Sequence, residues 1–211
     1  MTIDGRIARG DRTRAAVLDR AVARATEDGL DGLSLAQLAT DLGVSKSGLF
    51  AHWRSKEELQ LATVERAAEQ FRDHVTRPAL KAPRGVRRLW SLHDHRIRFY
   101  ESSVLPGGCF FAKVQFEFSA RPGPIRDRLA ELFEVWEEFV EGLAGQAVTA
   151  GELVATTDTR QLAYEIESFA LTAVMKSRLL LSPEVAYRYA RRAARDRLRS
   201  LATDPDLLPE A

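Results

Sequence analysis

The residues best suited to chemistry lie within one short stretch, from Ser34 to Lys56. Lys46-Ser47-Gly48 offers an ammonium group for a phosphate or guanine edge, a versatile hydroxyl, and a position without a side chain. Phe50 can contact a thymine methyl group or a sugar. His52 and Lys56 are spaced to reach phosphates, and Lys56 begins a helix whose backbone amides also attract anions. These groups predict contact with a nucleic acid.

Catalytic and metal-binding motifs are absent from the sequence. It contains no Gly-x-Ser-x-Gly, phosphate-binding glycine loop, Cys-x-x-Cys or His-Glu-x-x-His. His93 and His95 point to different faces of a helix, so they would not share a metal ion. Cys109 follows two glycines at a helix start, where it is either a redox sensor or a buried apolar side chain. We expect no enzyme, no cofactor and no metal.

Two short helices and a tight turn must position the polar groups. Ser34 and Gln37 have the spacing of a capping box, and Gly43 suits the left-handed conformation at a helix end. Ser45 caps the next helix, in which Leu49 and Trp53 face inward. Ser55 and Glu58 form a second capping box at the following helix. This arrangement predicts a helix-turn-helix.

Three segments carry a resemblance to a known family: Thr13–Leu18, Leu33–Ala39 and Leu42–Leu59. Together they resemble the N-terminal DNA-binding domain of the TetR family of transcriptional regulators. The resemblance covers about residues 11–60 and departs from the common pattern at Phe50 and Ala51, where tyrosine and another aromatic residue are usual. It implies an operator DNA partner, a two-fold dimer and a ligand-binding C-terminal half. The alternatives are an enzyme and a scaffold whose helix-turn-helix packs only within its own domain.

The residues expected to contact DNA are Ser34, Gln37, Lys46, Ser47, Gly48, Phe50, Ala51, His52 and Lys56. Four arginines near the start of the chain form either an arm that reaches DNA or a solvated tail: Arg6, Arg9, Arg12 and Arg14. Residues 1–56 hold nine basic and seven acidic residues, so electrostatic steering should be modest.

The predicted fold is all-α, with about nine helices. Val114–Phe118 alternates like a strand, but helical spacing and the lack of a partner strand favour a helix. We expect a first helix over about 11–28 and a DNA-binding domain over 1–55 with a flexible arm at 1–10. A ligand-binding and dimerisation domain follows over 56–203, and then a frayed tail over 204–211.

Ten of the 17 aromatic residues fall between Trp90 and Phe139. They line an apolar pocket or fill a core, and the family resemblance favours the pocket. The candidate ligand-binding residues are Trp90, His93, Ile97, Tyr100, Cys109, Phe111, Gln115, Phe118, Phe133 and Trp136. We expect a small, apolar or aromatic effector.

The helix after Asp158 is apolar nearly all round between Phe169 and Met175, which favours burial against a second subunit over a monomeric core. The candidate dimer residues are Leu162, Ile166, Phe169, Ala173, Tyr189 and Ala193. Residues 176–199 hold eight basic and two acidic residues, a run more typical of a solvated or acid-paired face than of a DNA contact.

The whole composition fits a soluble protein. Its net charge is +1, from 31 basic and 30 acidic residues, which excludes a uniformly basic polyanion-coating protein. A single cysteine excludes an internal disulfide. The sequence also contains no run of 18 apolar residues, the length needed to span a membrane. We expect a cytoplasmic protein that makes no membrane contact.

Overall fold

The computed structural model describes residues 3–50, 52–102 and 104–210, with side chains from residue 12 onward. Within these ranges there are nine α-helices of five residues or more, one single-turn α-helix (α5) and no strand. The helices are α1 Ile3–Asp28, α2 Leu35–Leu42, α3 Lys46–Phe50, α4 Lys56–Phe71, α5 Arg77–Ala79, α6 Val86–Glu101, α7 Phe110–Phe118, α8 Pro124–Thr149, α9 Thr159–Leu179 and α10 Pro183–Leu201. The predicted all-α class is confirmed.

Three local predictions can be compared with these bounds. The segment Val114–Phe118 is helical, as the spacing of its apolar residues indicated. The first helix begins at Ile3, so the segment 3–10 is helical and does not form an irregular arm. The tail does not fray over residues 204–210, because Leu208 is buried and Arg195 and Arg199 donate hydrogen bonds to backbone carbonyls of Glu210 and Leu208.

The chain forms two compact units. The first contains the described residues up to Gln70 together with 104–129, and the second contains 71–102 together with 130–210. The boundary predicted at residue 55 therefore differs from the division that the structure shows. Sequence reasoning missed that α7 belongs with the helix-turn-helix.

The first unit is held together where the loop before α7 meets α1. The Gly107 amide donates to Thr26 Oγ1 at 2.8 Å. A Cβ atom at Gly107 would lie 2.0 Å from the Thr26 carbonyl oxygen, so only glycine allows this approach. The carboxylate of Glu117 on α7 accepts from the amides of Leu30 and Asp31, at 2.8 and 2.7 Å. These bonds join α7 to the turn between α1 and α2.

In the second unit, α10 packs against both α6 and α9. Leu89 and Ile97 of α6, Leu162 of α9 and Leu198 of α10 are buried in its core. The N-terminus of α6 is capped by a residue far away in the sequence, because the Glu152 carboxylate accepts from the Val86 amide at 2.7 Å.

Candidate nucleic-acid interface

The turn between α2 and α3 has the predicted geometry. Gly43 adopts the left-handed conformation with φ 63° and ψ 30°, and its amide donates to the Thr40 carbonyl at 3.3 Å. Ser45 then caps α3, because its Oγ accepts from the Gly48 amide at 3.2 Å. These contacts satisfy polar groups at the end of α2 and the start of α3 and set the angle between the two helices.

One face of α3 is buried and the other is open. Leu49 and Trp53 are almost fully buried, as predicted, and they anchor the segment against the unit. Lys46, Ser47 and Gly48 are exposed, and so is His52. Phe50 is 49% exposed, with the Lys46 ammonium 5.8 Å from its ring centroid. The exposed face of α3 therefore combines a cation, a hydroxyl group and an aromatic ring, and the His52 imidazole is exposed just after the helix.

The capping box predicted at Ser34 does not form. Ser34 has extended N-cap dihedral angles, but its hydroxyl makes no capping hydrogen bond. Gln37 instead donates to Asp41 Oδ1 at 3.1 Å. Asp41 is held by Arg24, Gln37 and Arg20, which keep the pKa of its carboxyl well below the usual range. Ser34 and Gln37 remain exposed at the start of α2.

The second capping box, at Ser55 and Glu58, forms with one of its two hydrogen bonds shifted by one residue. Ser55 Oγ accepts from the Glu58 amide at 3.1 Å, as predicted. The Glu58 carboxylate, however, accepts from the Arg54 amide at 2.6 Å and not from that of Ser55. The Arg54 side chain is exposed just after α3, and sequence reasoning did not include it among the candidates. The signal that could have identified Arg54 is its position in the sequence, between the inward-facing Trp53 and the helix-capping Ser55.

Lys56 has partners within its own chain. Its Nζ lies 3.0 Å from Asp31 Oδ1 and also donates to the Asp31 carbonyl oxygen. Arg121 donates to the other carboxylate oxygen at 3.1 Å. Lys56 and then Arg121 lower the pKa of Asp31, so its carboxylate stays charged at neutral pH. The lysine expected to reach a phosphate is thus occupied by Asp31.

The N-terminal cations can be placed only in part. Arg14 is exposed, and its guanidinium carbon lies 5.9 Å from the Trp53 ring centroid. Arg12 is also exposed. The side chains of Arg6 and Arg9 lie outside the described part of the chain, and so does Ala51.

The structure divides the ten candidate ligand residues between the two units. Cys109, Phe111, Gln115 and Phe118 lie in the first unit, whereas the other six lie in the second. The second group is Trp90, His93, Ile97, Tyr100, Phe133 and Trp136.

The second group includes part of a polar and aromatic cluster around Arg96. The Arg96 guanidinium carbon lies 5.8 Å from the ring centroids of both Tyr100 and Trp136. The same guanidinium donates to the Tyr100 hydroxyl at 2.5 Å and to Glu167. The Trp136 ring meets Phe71 edge to face at 5.0 Å. Sequence reasoning missed Arg96 and Glu167, which lie on α6 and α9 and meet only through folding.

His93 and His95 have different surroundings, as their helical spacing predicted. His93 is buried, with Nε2 3.2 Å from the Ala190 carbonyl oxygen. Burial, followed by the charge of Arg96, lowers the pKa of His93 to about 3, so the ring is neutral near pH 7. His95 Nδ1 lies 2.8 Å from the Ser91 carbonyl oxygen of its own helix. No cluster of three potential metal ligands occurs among the described side chains.

Cys109 is buried at the start of α7, where its sulfur accepts from the Ala112 amide at 3.4 Å. Of the two possibilities that the sequence left open, burial favours the apolar side chain over the redox sensor, because a redox sensor usually requires an accessible thiol.

The candidate dimer residues need correction. Leu162, Ile166 and Ala173 are buried within this chain, so they have no surface left for a partner. Phe169 and Ala193 are half-buried, and Tyr189 is 55% exposed. The remaining large apolar side chains exposed on and just after α9 are Tyr164, Met175, Leu179 and Leu180. A helix that is apolar nearly all round does not reveal which face packs internally.

Most arginines of the basic run 176–199 bind acidic side chains or donate hydrogen bonds to backbone carbonyl oxygens. Arg191 binds Asp94 at 2.9 Å and Glu101 at 2.6 Å, and Arg197 binds Glu165 at 2.5 Å. With Lys176, Arg178 and Arg188 exposed, these pairs support the prediction that the run forms a solvated or acid-paired face. In the described ranges, no helix is both long and apolar enough to cross a membrane.

Solved structures share this fold. A TetR transcriptional regulator from Chloroflexus aurantiacus is 26% identical, with 88% of this chain and 95% of that chain covered and a TM-score of 0.78. A TetR-family regulator from Cytophaga hutchinsonii is 17% identical, with 93% and 98% covered and a TM-score of 0.81. AibR, solved with isovaleryl coenzyme A and operator DNA, is 21% identical, with 89% and 96% covered and a TM-score of 0.66.

Two family models match this chain, one in its N-terminal part and one in its C-terminal part. The model described as bacterial regulatory proteins, tetR family, matches residues 17–63. The model described as Tetracyclin repressor-like, C-terminal domain, matches residues 85–194, which is more than half of the chain. No curated protein sequence matches the chain significantly. With the helix-turn-helix and the helical second unit described above, these matches show that the chain belongs to the TetR family of transcriptional regulators.

Proposed function

We propose that the protein is a dimeric repressor that binds a pseudo-palindromic operator and leaves it when a small, largely apolar effector binds its C-terminal half. The observation that carries this proposal is the open face of α3. Leu49 and Trp53 are buried and hold the helix in place, whereas Lys46, Ser47 and Gly48 are exposed and Phe50 is about half exposed. A short helix with such a face fits the major groove, which is about 12 Å wide.

The proposed DNA contacts divide into two classes. Lys46 and Ser47 read base edges, Gly48 lets the backbone approach, and Phe50 and Ala51 contact a thymine methyl group or a sugar. Ser34, Gln37, His52 and Lys56 bind phosphates and fix the orientation. Arg54 joins this phosphate-binding set because it is exposed beside α3.

A dimer would explain the exposed apolar side chains of α9 and α10. Large apolar groups in water carry a cost that burial against a second copy removes. A two-fold axis would place two α3 helices in successive major grooves, roughly 34–36 Å apart or a multiple of that distance. The operator should therefore contain two related half-sites.

The cluster around Arg96 supports an effector site in the second unit. It combines aromatic faces with a few oriented polar groups, the usual composition of small-molecule sites. AibR, which shares the fold, binds both isovaleryl coenzyme A and operator DNA. For this chain we propose the same two kinds of partner, a small-molecule effector and an operator DNA. An effector that prefers the conformer with the wrong α3 spacing would lower operator affinity by a coupling free energy of about 1–3 kcal/mol.

Selection of bound duplexes from a random DNA pool, at two salt concentrations, tests the proposal. We expect enrichment of one pseudo-palindrome, with affinity that falls as salt rises because phosphate contacts release counterions. Failure of a folded dimer to enrich any sequence at either salt would contradict the proposal and favour a structural role for the helix-turn-helix.

A further inference from the structure

Asp31 binds Lys56 in a way that bears on DNA binding. The Lys56 ammonium contacts both the carboxylate and the carbonyl oxygen of Asp31. Both side chains are about half exposed, so water and ions reach the pair. A lysine donates at most three hydrogen bonds, and two of the three are directed at one residue. A phosphate would have to displace at least part of this contact.

We propose that Asp31 is a positioning residue that holds Lys56 back from DNA. When the protein binds a duplex, the Lys56 ammonium exchanges the Asp31 carboxylate for a DNA phosphate. This inference rests on the proposed DNA-binding function and adds a competitor for one of its phosphate contacts.

The surroundings of Asp31 make the exchange easy. Arg121 binds the other carboxylate oxygen at 3.1 Å, so the carboxylate keeps a cationic partner after Lys56 leaves. Glu117 accepts from the Asp31 amide at 2.7 Å, which keeps the backbone of Asp31 in place. Exposed ion pairs are weak, so a phosphate can compete with the carboxylate for the ammonium group.

The same arrangement predicts a cost to DNA binding. While Asp31 is charged, part of the attraction between Lys56 and a phosphate is cancelled, because the two anions compete for one cation. Removing the Asp31 charge should therefore tighten binding to any duplex, irrespective of sequence. The gain must depend on Lys56.

A double-mutant cycle on a random-sequence duplex tests the proposal. We would measure the affinity of wild type, Asp31→Asn, Lys56→Gln and the double variant by fluorescence anisotropy over a range of salt concentrations. We expect Asp31→Asn to tighten binding about two- to fivefold at low salt, the size of an exposed ion-pair effect. Lys56 contacts a phosphate in the wild-type complex as well, so Asp31→Asn should leave the slope of log affinity against log salt nearly unchanged, whereas Lys56→Gln should reduce it by up to about one. In the Lys56→Gln background the gain should vanish.

Glu27→Gln is the matched control, because Glu27 is an exposed carboxylate on α1 for which the described residues provide no ion pair. It removes the same charge from the same unit without touching Lys56, so its effect on affinity should be smaller. Circular dichroism would verify that each variant is folded.

Two results would overturn the proposal while DNA binding itself stands. One is a gain for Asp31→Asn no larger than that for Glu27→Gln, and the other is a gain that persists without Lys56. Binding by neither wild type nor any variant at low salt would instead contradict the DNA-binding function, and this proposal with it.

Discussion

Lys46 and Phe50 lie side by side on the exposed face of α3, with Phe50 about half exposed. We propose that they act through contacts with DNA. His93 is the opposite case, because it is buried between α6 and α10 and held neutral by its surroundings. Residues of these two kinds give different experimental signatures.

Replacing Lys46 by alanine should weaken operator binding roughly 5- to 100-fold, the usual cost of one lost base or phosphate contact. The fold should be unaffected, since the side chain is exposed. Anisotropy with the selected operator and thermal unfolding would measure the two effects. Lys81→Ala, an equal loss of charge in the second unit, is the control, and unchanged operator affinity in Lys46→Ala would refute the role of Lys46.

His93 should make stability depend on pH. The folded chain binds the proton of His93 only near pH 3, whereas the unfolded chain binds it near the ordinary pKa of 6.5. Between these values the unfolded state holds more protons, so stability falls as pH drops through this window and is constant above it. From pH 7 to pH 5, wild type should lose about 2 kcal/mol more than His93→Phe.

Urea unfolding at both pH values would measure that difference. Equal losses in wild type and His93→Phe would show that His93 titrates normally in the folded protein.

At the scale of elements, the contact between α7 and α1 is the least expected feature of the fold. It depends on a glycine that lets two backbones approach and on a carboxylate that accepts from two backbone amides of the α1–α2 turn. Neither feature has a sequence signature, because the partners lie about 80 residues apart along the chain.

Gly107→Ala tests this contact. A Cβ atom there would meet the Thr26 carbonyl oxygen at 2.0 Å, so backbone atoms must move. We expect a loss of about 2 kcal/mol or more in the free energy of unfolding. Gly142→Ala on α8 meets nothing within 4 Å and should stabilise the protein by up to about 1 kcal/mol. If chemical unfolding showed both variants to be equally stable, Gly107 would not lie as close to the Thr26 backbone as the structure places it.

At the scale of the whole molecule, the exposed apolar side chains of α9 and α10 form the surface on which we propose the dimer contact. Leu179 is 86% exposed and Met175 and Tyr189 about half exposed, although α9 otherwise contributes heavily to the core. We propose a second copy of the chain as the occupant of this surface, because the proposed pseudo-palindromic operator would require a two-fold dimer.

Introducing charge on this face should separate the subunits. Met175→Glu combined with Tyr189→Glu places two carboxylates where we expect an apolar contact, and their burial would be costly. Sedimentation should then show a monomer, with a large loss of operator affinity because only one half-site can be held at a time. Val154→Glu, outside α9 and α10, should leave the assembly unchanged. A double variant that sediments like wild type would rule out this face.

The sequence by itself determined the local structure. The helical class, the left-handed Gly43, the cap at Ser45 and the inward-facing Leu49 and Trp53 follow from rules that act over a few residues. The open face of α3 was predictable for the same reason, because its polar and apolar residues alternate with the helical period.

The tertiary structure alone decided which partners meet. The Gln37 side-chain amide donates to Asp41 and does not form the predicted capping box. Lys56 pairs with Asp31, and the Glu117 carboxylate joins α7 to the helix-turn-helix. It also decided that Leu162 and Ile166 pack inside the chain, while Met175 and Leu179 remain exposed. Periodicity reports that a helix has an apolar face, but it carries no information about what covers that face. Contacts between residues far apart in the chain depend on how the helices pack, and that packing is set by the whole core at once.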